Sequence, residues 1–225
     1  MFAFSGCTSL TNLKIGNRVT FIDQEAFAGC ISLTNFNIPH SVTKIETGAF
    51  YQCKSLIDVT IPNSVSTFGM LLFVECTNLK TLTFENGIRT IPTGIASGCS
   101  NLTTINIPNT VTTIDWAAFF QCTSLINITI PDSVTSIMSQ VFQECSSLTD
   151  IVIPSNVTSI GDMVFEKCTS LNSVTVYALT PPTLGTKVFD NNATGRKIYV
   201  PTASLNLYKA ATNWSTYADD IVAIS

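Results

Sequence analysis

The sequence predicts a mainly β repeat solenoid, with two short strands per coil and a C-terminal α/β cap. Three observations predict it. Cysteines stand at positions 7, 30, 53, 76, 99, 122, 145 and 168, each 23 residues after the last, and self-similarity at such a period marks a stack of like coils. A leucine follows every cysteine by three residues, from Leu10 to Leu171. A phenylalanine column runs through Phe4, Phe27, Phe50, Phe73, Phe119, Phe142 and Phe165, and where Ala96 breaks it Ile95 offers relief.

The elements of one coil follow in order. After the Cys-x-x-Leu step come two apolar columns, Leu13, Phe36, Val59, Leu82, Ile105, Ile128, Ile151, Val174 and Ile15, Ile38, Ile61, Phe84, Ile107, Ile130, Ile153, Val176. They alternate with polar residues, the period-2 mark of a strand buried on one face. Proline follows at 39, 62, 108, 131 and 154. Lacking an N–H, it ends the strand and turns the chain. Segments such as Asn63-Ser64-Val65 and Asp132-Ser133-Val134 supply turn chemistry. A second extended run then appears as Val-Thr-x-Ile, for example Val42–Ile45 and Val134–Ile137. The phenylalanine closes the coil. Burying it is worth roughly 2–3 kcal/mol, and a single coil cannot enclose it, so the fold is cooperative along its axis.

About eight such coils occupy residues 1–176, with Met1 partway into a repeat and no N-terminal cap before it. Residues 177–225 read as a capping segment of the same domain, where the 23-residue register dissolves. Within it Lys197–Pro201 predicts a last strand, and Thr202 a helix N-cap for 203–211, ending near Asn213. Trp214, Tyr217 and Ile221–Ile224 would close over the last coil.

Composition narrows the function classes. Charged residues make up 12%, the net charge is −4, and no lysine or arginine cluster exists, which excludes the basic stripe a nucleic-acid binder needs. No apolar stretch reaches membrane-span length. The eight cysteines occupy equivalent inward sites with parallel Cβ vectors, about 4.8 Å apart along the stack. That geometry suits neither disulfides nor a zinc tetrahedron, so the expectation is buried thiols acting as small apolar fillers. No cofactor or metal is expected. His40 occupies the turn position held elsewhere by Asn63, Asn109 and Asp132 and reads as a turn residue. With no carboxylate pair, phosphate loop or nucleophile motif, the sequence reads as non-enzymatic.

The combination of Cys-x-x-Leu, Ile-Pro, Val-Thr-x-Ile and Ala-Phe at a 23-residue spacing resembles the BspA-like, or Treponema-type, leucine-rich repeats. The ending from Tyr199-Val200-Pro201 through Tyr208-Lys209 to Trp214 and Tyr217 is similar to how such proteins close. The resemblance covers residues 1 to about 176. It implies a right-handed leucine-rich-repeat coil, secretion or exposure on the surface of a host-associated microbe, and attachment to host proteins or other cells. No export signal is present in the sequence.

Candidate binding residues lie in two sets. Outward on the first strand are Asn12, Asn35, Asp58, Thr81, Thr104, Asn127, Asp150 and Ser173, beside Lys14, Asn37, Thr60, Thr83, Asn106, Thr129, Val152 and Thr175. These rows offer many weak hydrogen bonds to an extended protein or glycan partner. They also suffice merely to keep a sheet solvated, and they lack the Tyr, Trp or Arg anchors of most interfaces. The second set is irregular: Tyr51 and Phe120 follow the phenylalanine column, Trp116 lies just before Phe120, and Phe21 fills a usually polar position. Three readings compete. One is a surface adhesion module recognising a host protein or glycan. Another is a structural spacer or self-assembly segment, pairing through the N-terminal edge at Leu10, Leu13 and Ile15. The last is an ice-binding face built on the threonines of the outward rows and on Thr20, Thr43, Thr112, Thr135 and Thr158.

Overall fold

A computed structural model describes residues 2–224. Each coil has three sides, two of them sheets of parallel strands that grow by one strand per coil. The first sheet contains β3 (Asp58–Ile61), β5 (Thr81–Phe84) and β7 (Thr104–Asn106), then, beyond a gap, β10 (Asp150–Ile153), β12 (Ser173–Val176), β14 (Lys197–Val200) and β15 (Ile221–Ala223). The second contains β1 (Phe21–Ile22), β2 (Lys44–Ile45) and β4 (Thr67–Phe68), then, beyond a break of its own, β6 (Thr90–Ile91), β8 (Thr113–Ile114), β9 (Ser136–Ile137), β11 (Ser159–Ile160) and β13 (Thr183–Leu184). The registers are those that the columns predict: Val59 faces Leu82 and Ile105, and Ile151 faces Val174. In β3 and β10 exposed and buried residues alternate strictly, as one solvated face requires.

The third side, between the second strand and the cysteine, is held by a ladder of another kind. Alternate amides donate forward to the next coil, as in Glu25 to Thr47, Phe27 to Ala49 and Gly29 to Tyr51, and this recurs through Lys167 to Asp190. The intervening amides close tight turns within their own coil, Ala26 to Asp23, Ala28 to Glu25 and Cys30 to Phe27. Two positions per coil take left-handed backbone to achieve this. Glu25, Gly48, Leu71, Gly94, Ala117, Gln140 and Met163 form one column; Gly29, Gln52, Glu75, Gly98, Gln121, Glu144 and Lys167 form the other. Glycine adopts that conformation freely, whereas other residues are strained there.

The interior is one cluster. Phe4, Phe27, Phe50 and Phe73 stack with centroids 5.2–5.4 Å apart. At the break Ile95 and Ala96 are fully buried, and stacking resumes through Phe119, Phe142, Phe165 and Phe189 at 5.6–5.7 Å. The cysteines from Cys30 to Cys168 are buried free thiols, while Cys7 is exposed. Each buried Sγ–H donates to a carbonyl 26 residues earlier, from Cys30 to Phe4 at 3.1 Å through Cys168 to Phe142 at 3.1 Å. Burial pushes the thiols of Cys53, Cys99 and Cys168 up to about 12. They stay protonated and unreactive at neutral pH, because the thiolate is the nucleophile.

The far end departs from expectation in two ways. The register slips without dissolving: Ser159 pairs with Thr183, and Ser173 with Lys197, so both sheets run past Val176 into a ninth coil. The slip is one inserted residue before β13: both pairs are 24 residues apart instead of 23, and Ile198 pairs with Ile221 at 23 again. The helix is also shorter than predicted, a 3-10 turn over Thr202–Ser204 followed by α1 (Leu205–Ala210). Thr202 makes no side-chain cap; its hydroxyl donates instead to the Ile224 carbonyl and pins the end of β15. Tyr208 and Trp214 are fully buried, donating from Oη to Ala178 and from Nε1 to Pro182. Tyr217 Oη accepts the forward-pointing amide of Phe189, which meets no further third-side backbone although β15 continues the first sheet, and donates to Asp190.

Candidate binding surface

The outward rows exist, and the sheet brings them together in groups. Asp58, Thr81 and Thr104 are in register, as are Thr60, Thr83 and Asn106, with Asn35 bridged to Asn12. Asn35, Asn37, Asp58, Thr60, Thr104, Asn106, Asn127 and Thr129 are exposed, and Thr81 and Thr83 are half-buried. The irregular aromatics lie elsewhere. Tyr51 and Phe120 are half-buried on the third side, three coils apart, and Trp116 is 47% exposed on the same side. Among the described residues no ring contact joins Trp116 to Phe120. The two candidate sets therefore occupy different sides of the coil, and one flat partner cannot engage both.

Many polar groups that look free in the sequence are already engaged between coils. Thr43, Thr112, Thr135 and Thr158 donate their hydroxyls to the carbonyl one coil back at 3.1–3.2 Å. The donors that an ice lattice would need from that column are thus turned inward along the stack. On the third side Gln52 donates to Glu75 and Gln121 to Glu144, and Glu144 also pairs with Lys167 at 2.8 Å. The hydrogen bond from Lys167, and then that from Gln121, hold the Glu144 carboxyl below the usual carboxylate range. His40 is a solvent-facing turn residue with Nε2 3.7 Å from Glu85, and carries no geometry of a general base.

The first sheet is interrupted at one coil in the middle of the chain. Asn127–Ile130 repeats the strand pattern, yet among the described residues no backbone hydrogen bond joins it to Thr104–Asn106. On the other flank, only the Thr149 amide reaches back, to Ile126. A groove of about 410 Å³ opens beside this coil, lined by Asn127, Thr129, Asp132, Asp150, Val152 and Tyr177. Val152 is 45% and Tyr177 51% exposed, so the wall is apolar and aromatic as well as acidic. No group of His, Cys, Asp or Glu among the described residues has metal-binding geometry.

Against known proteins, the model of the family described as the BspA type leucine rich repeat region matches residues 1–123 and 90–215, with six copies. The chain belongs to that family. Solved structures of other leucine-rich repeat proteins agree with the BspA-type coil. One from Bacteroides ovatus is 28% identical with a TM-score of 0.82, covering 88% of this chain and 51% of its own. One from Eubacterium ventriosum is 32% identical with a TM-score of 0.64, covering 68% and 41%. A leucine rich cell surface protein from Faecalibacterium prausnitzii is 25% identical with a TM-score of 0.52, covering 83% and 65%. The chain spans about half the length of the first two of these leucine-rich repeat proteins or less. No curated protein matches it. No helix among the described residues is long and apolar enough to cross a membrane.

Sequence reasoning missed three features of the BspA-type surface. Lys197 and Tyr199 extend the outward rows, opposite Ser173 and Thr175, so the rows do carry an aromatic anchor once the last strand is placed in register. Tyr177 stands where most coils have proline. The third signal was countable: no lysine, arginine or histidine occurs from residue 90 to 166, against Asp115, Asp132, Glu144, Asp150, Asp162 and Glu166. The middle of the stack thus has a formal charge of −6 of its own.

Proposed function

We propose that this chain is a non-enzymatic binding module of a cell-surface or secreted protein, which adheres to a host protein or glycan through its repeat face. The observation that carries the reading is the first sheet, where Asp58, Thr81 and Thr104 lie in register beside Thr60, Thr83 and Asn106 on a rigid solvated face. Strands 4.7–4.9 Å apart repeat the same short polar groups, so affinity accumulates from many small contacts to an extended partner. The cell-surface relative from Faecalibacterium prausnitzii supports the location.

The test is binding of the purified chain to immobilised host matrix proteins and to a glycan array. Beside it run a Thr60→Lys/Thr83→Lys variant of the sheet and a Trp116→Ala/Phe120→Ala variant of the third side. Binding lost with the sheet variant supports the repeat face. Binding lost only with the aromatic variant moves function to the third side, and no binding by any form removes adhesion through this chain. A second reading is self-association through the edge at Phe4, which is 40% exposed, and at Leu10, Leu13 and Ile15, which are at least partly exposed. Sedimentation showing one monomeric species at all concentrations removes it.

A further inference from the structure

A groove of about 470 Å³ also opens at the N-terminal end of the first sheet, beside Asn12, Lys14, Asn37 and Asp58. The groove at the interrupted coil differs from it in composition and charge, having two carboxylates, a tyrosine and no base. It spans Asn127–Ile130, Asp150–Pro154 and Tyr177, which belong to three successive coils, and its volume of about 410 Å³ falls in the range of small binding clefts. Two carboxylates, Asp132 and Asp150, line it, and among the described residues neither forms an ion pair. Along the outward row the next basic residue is Lys197, two strands on from Asp150. The Asn127–Ile130 segment also keeps backbone amides and carbonyls that the paired strands Asp58–Ile61, Thr81–Phe84 and Asp150–Ile153 use in the ladder.

We infer that this groove is a docking site for an arginine-bearing segment of a partner protein. The inference rests on the adhesion reading and narrows it to a protein partner and a place. A guanidinium satisfies every feature of the groove. It is planar, stacks on an aromatic face such as Tyr177, and forks onto carboxylates such as Asp132 or Asp150. Its remaining N–H donors suit carbonyls released from the ladder. Its methylene stem packs on Val152 and Pro154. The field of the middle coils acts in the same sense: the six acids and no base of residues 90–166 attract a cation and repel sulfated or sialylated chains. A neutral sugar could hydrogen-bond to the same groups but would gain nothing from that field.

The experiment selects random dodecapeptides displayed on phage against the immobilised chain, in parallel with an Asp132→Asn/Asp150→Asn variant. Selected peptides are then labelled and measured by fluorescence anisotropy, and a neutral hexasaccharide panel is tested beside them. The expected result is an arginine-rich family that the variant fails to enrich. Its affinity falls about tenfold or more with Asp132→Asn/Asp150→Asn, with Tyr177→Ala, or on replacing the peptide arginine by glutamine. Affinity also falls as salt rises from about 0.05 to 0.3 M. These side chains are exposed, so unchanged thermal melting will show that the variants stay folded. Peptides without basic bias, enrichment that persists on the variant, no enriched family, or hexasaccharide binding lost with the variant would each overturn the inference. Matrix binding insensitive to the groove variants overturns the inference alone, whereas absence of matrix binding removes only the adhesion reading, since the peptide selection does not depend on it.

Discussion

Residues 2–89 and 90–166 are built on the same buried columns, and their surfaces have diverged. The first stretch balances six basic residues, Lys14 to Arg89, against six acidic ones, Asp23 to Glu85; the second has acids alone. The first carries two of the three paired strands before the gap, and the second holds the interrupted coil and all of the groove but Tyr177. Yet the thiol-to-carbonyl bonds are alike in both, 3.1 Å at Cys53 and 3.2 Å at Cys145. An inward residue must fit the coils on both sides of it, so its choice is fixed by packing density. An outward residue has solvent on one side and at most a hydrogen bond to the next coil, as from Gln52 to Glu75, and that is where one region can acquire a partner the other lacks.

The largest test of this comparison is in the interior. Phe50→Ala and Phe142→Ala should each destabilise the stack by about 3–5 kcal/mol, read from urea denaturation. Phe50 should cost more by about 1 kcal/mol, because Phe36 meets its ring edge-on at 4.6 Å. A much smaller loss at Phe142 would break the claim that both regions share one interior. A middling effect sharpens the role of the third side. Gly98→Val forces a branched residue into left-handed backbone (φ 74°) and should cost about 2 kcal/mol. Gly16→Val, where an added Cβ meets nothing within 4 Å, should stay within about 0.5 kcal/mol. The smallest effect is electrostatic. Glu144 is held below its ordinary value of 4.5 by Lys167 and Gln121, so its contribution is present above that pH and is lost as pH falls through the depressed value. Glu144→Gln should flatten this acid-side fall in the urea midpoint slightly, and an unchanged fall would show that the ladder on this exposed side adds nothing.

Most of the interior was legible in the sequence, because each buried position repeats and eight copies of one column leave little ambiguity. The surface was less so, for identifiable reasons. Gln52, Glu75, Gln121 and Lys167 give no sign that their backbone is left-handed; only Gly6, Gly29 and Gly98 in the same column hint at it. The forward ladder imposes that conformation from outside the residue. Arg196 reads as a surface cation beside Lys197, yet it is 7% exposed, lies about 5 Å from the Phe189 and Tyr217 rings, and donates to the Phe189 carbonyl and Asp220. Nothing local announces a site whose partners lie 7, 21 and 24 positions from Arg196. Tyr199 escaped for a simpler reason: its row is visible only after the slipped register is restored.

The forward ladder of the third side also governs how such a chain can change in length. Every coil offers its amides to the next and its carbonyls to the one before, so its two faces are unlike and fit in a single order. Removing or adding a whole coil leaves a matching pair of faces at the join. Removing one residue in mid-stack would displace both left-handed columns, both sheets and the thiol row together. The spacing departs from 23 only at the step into β13 and β14, in the coil where the third-side ladder ends and Tyr217 receives the last forward amide. The chain is thus a ruler whose graduations are whole coils.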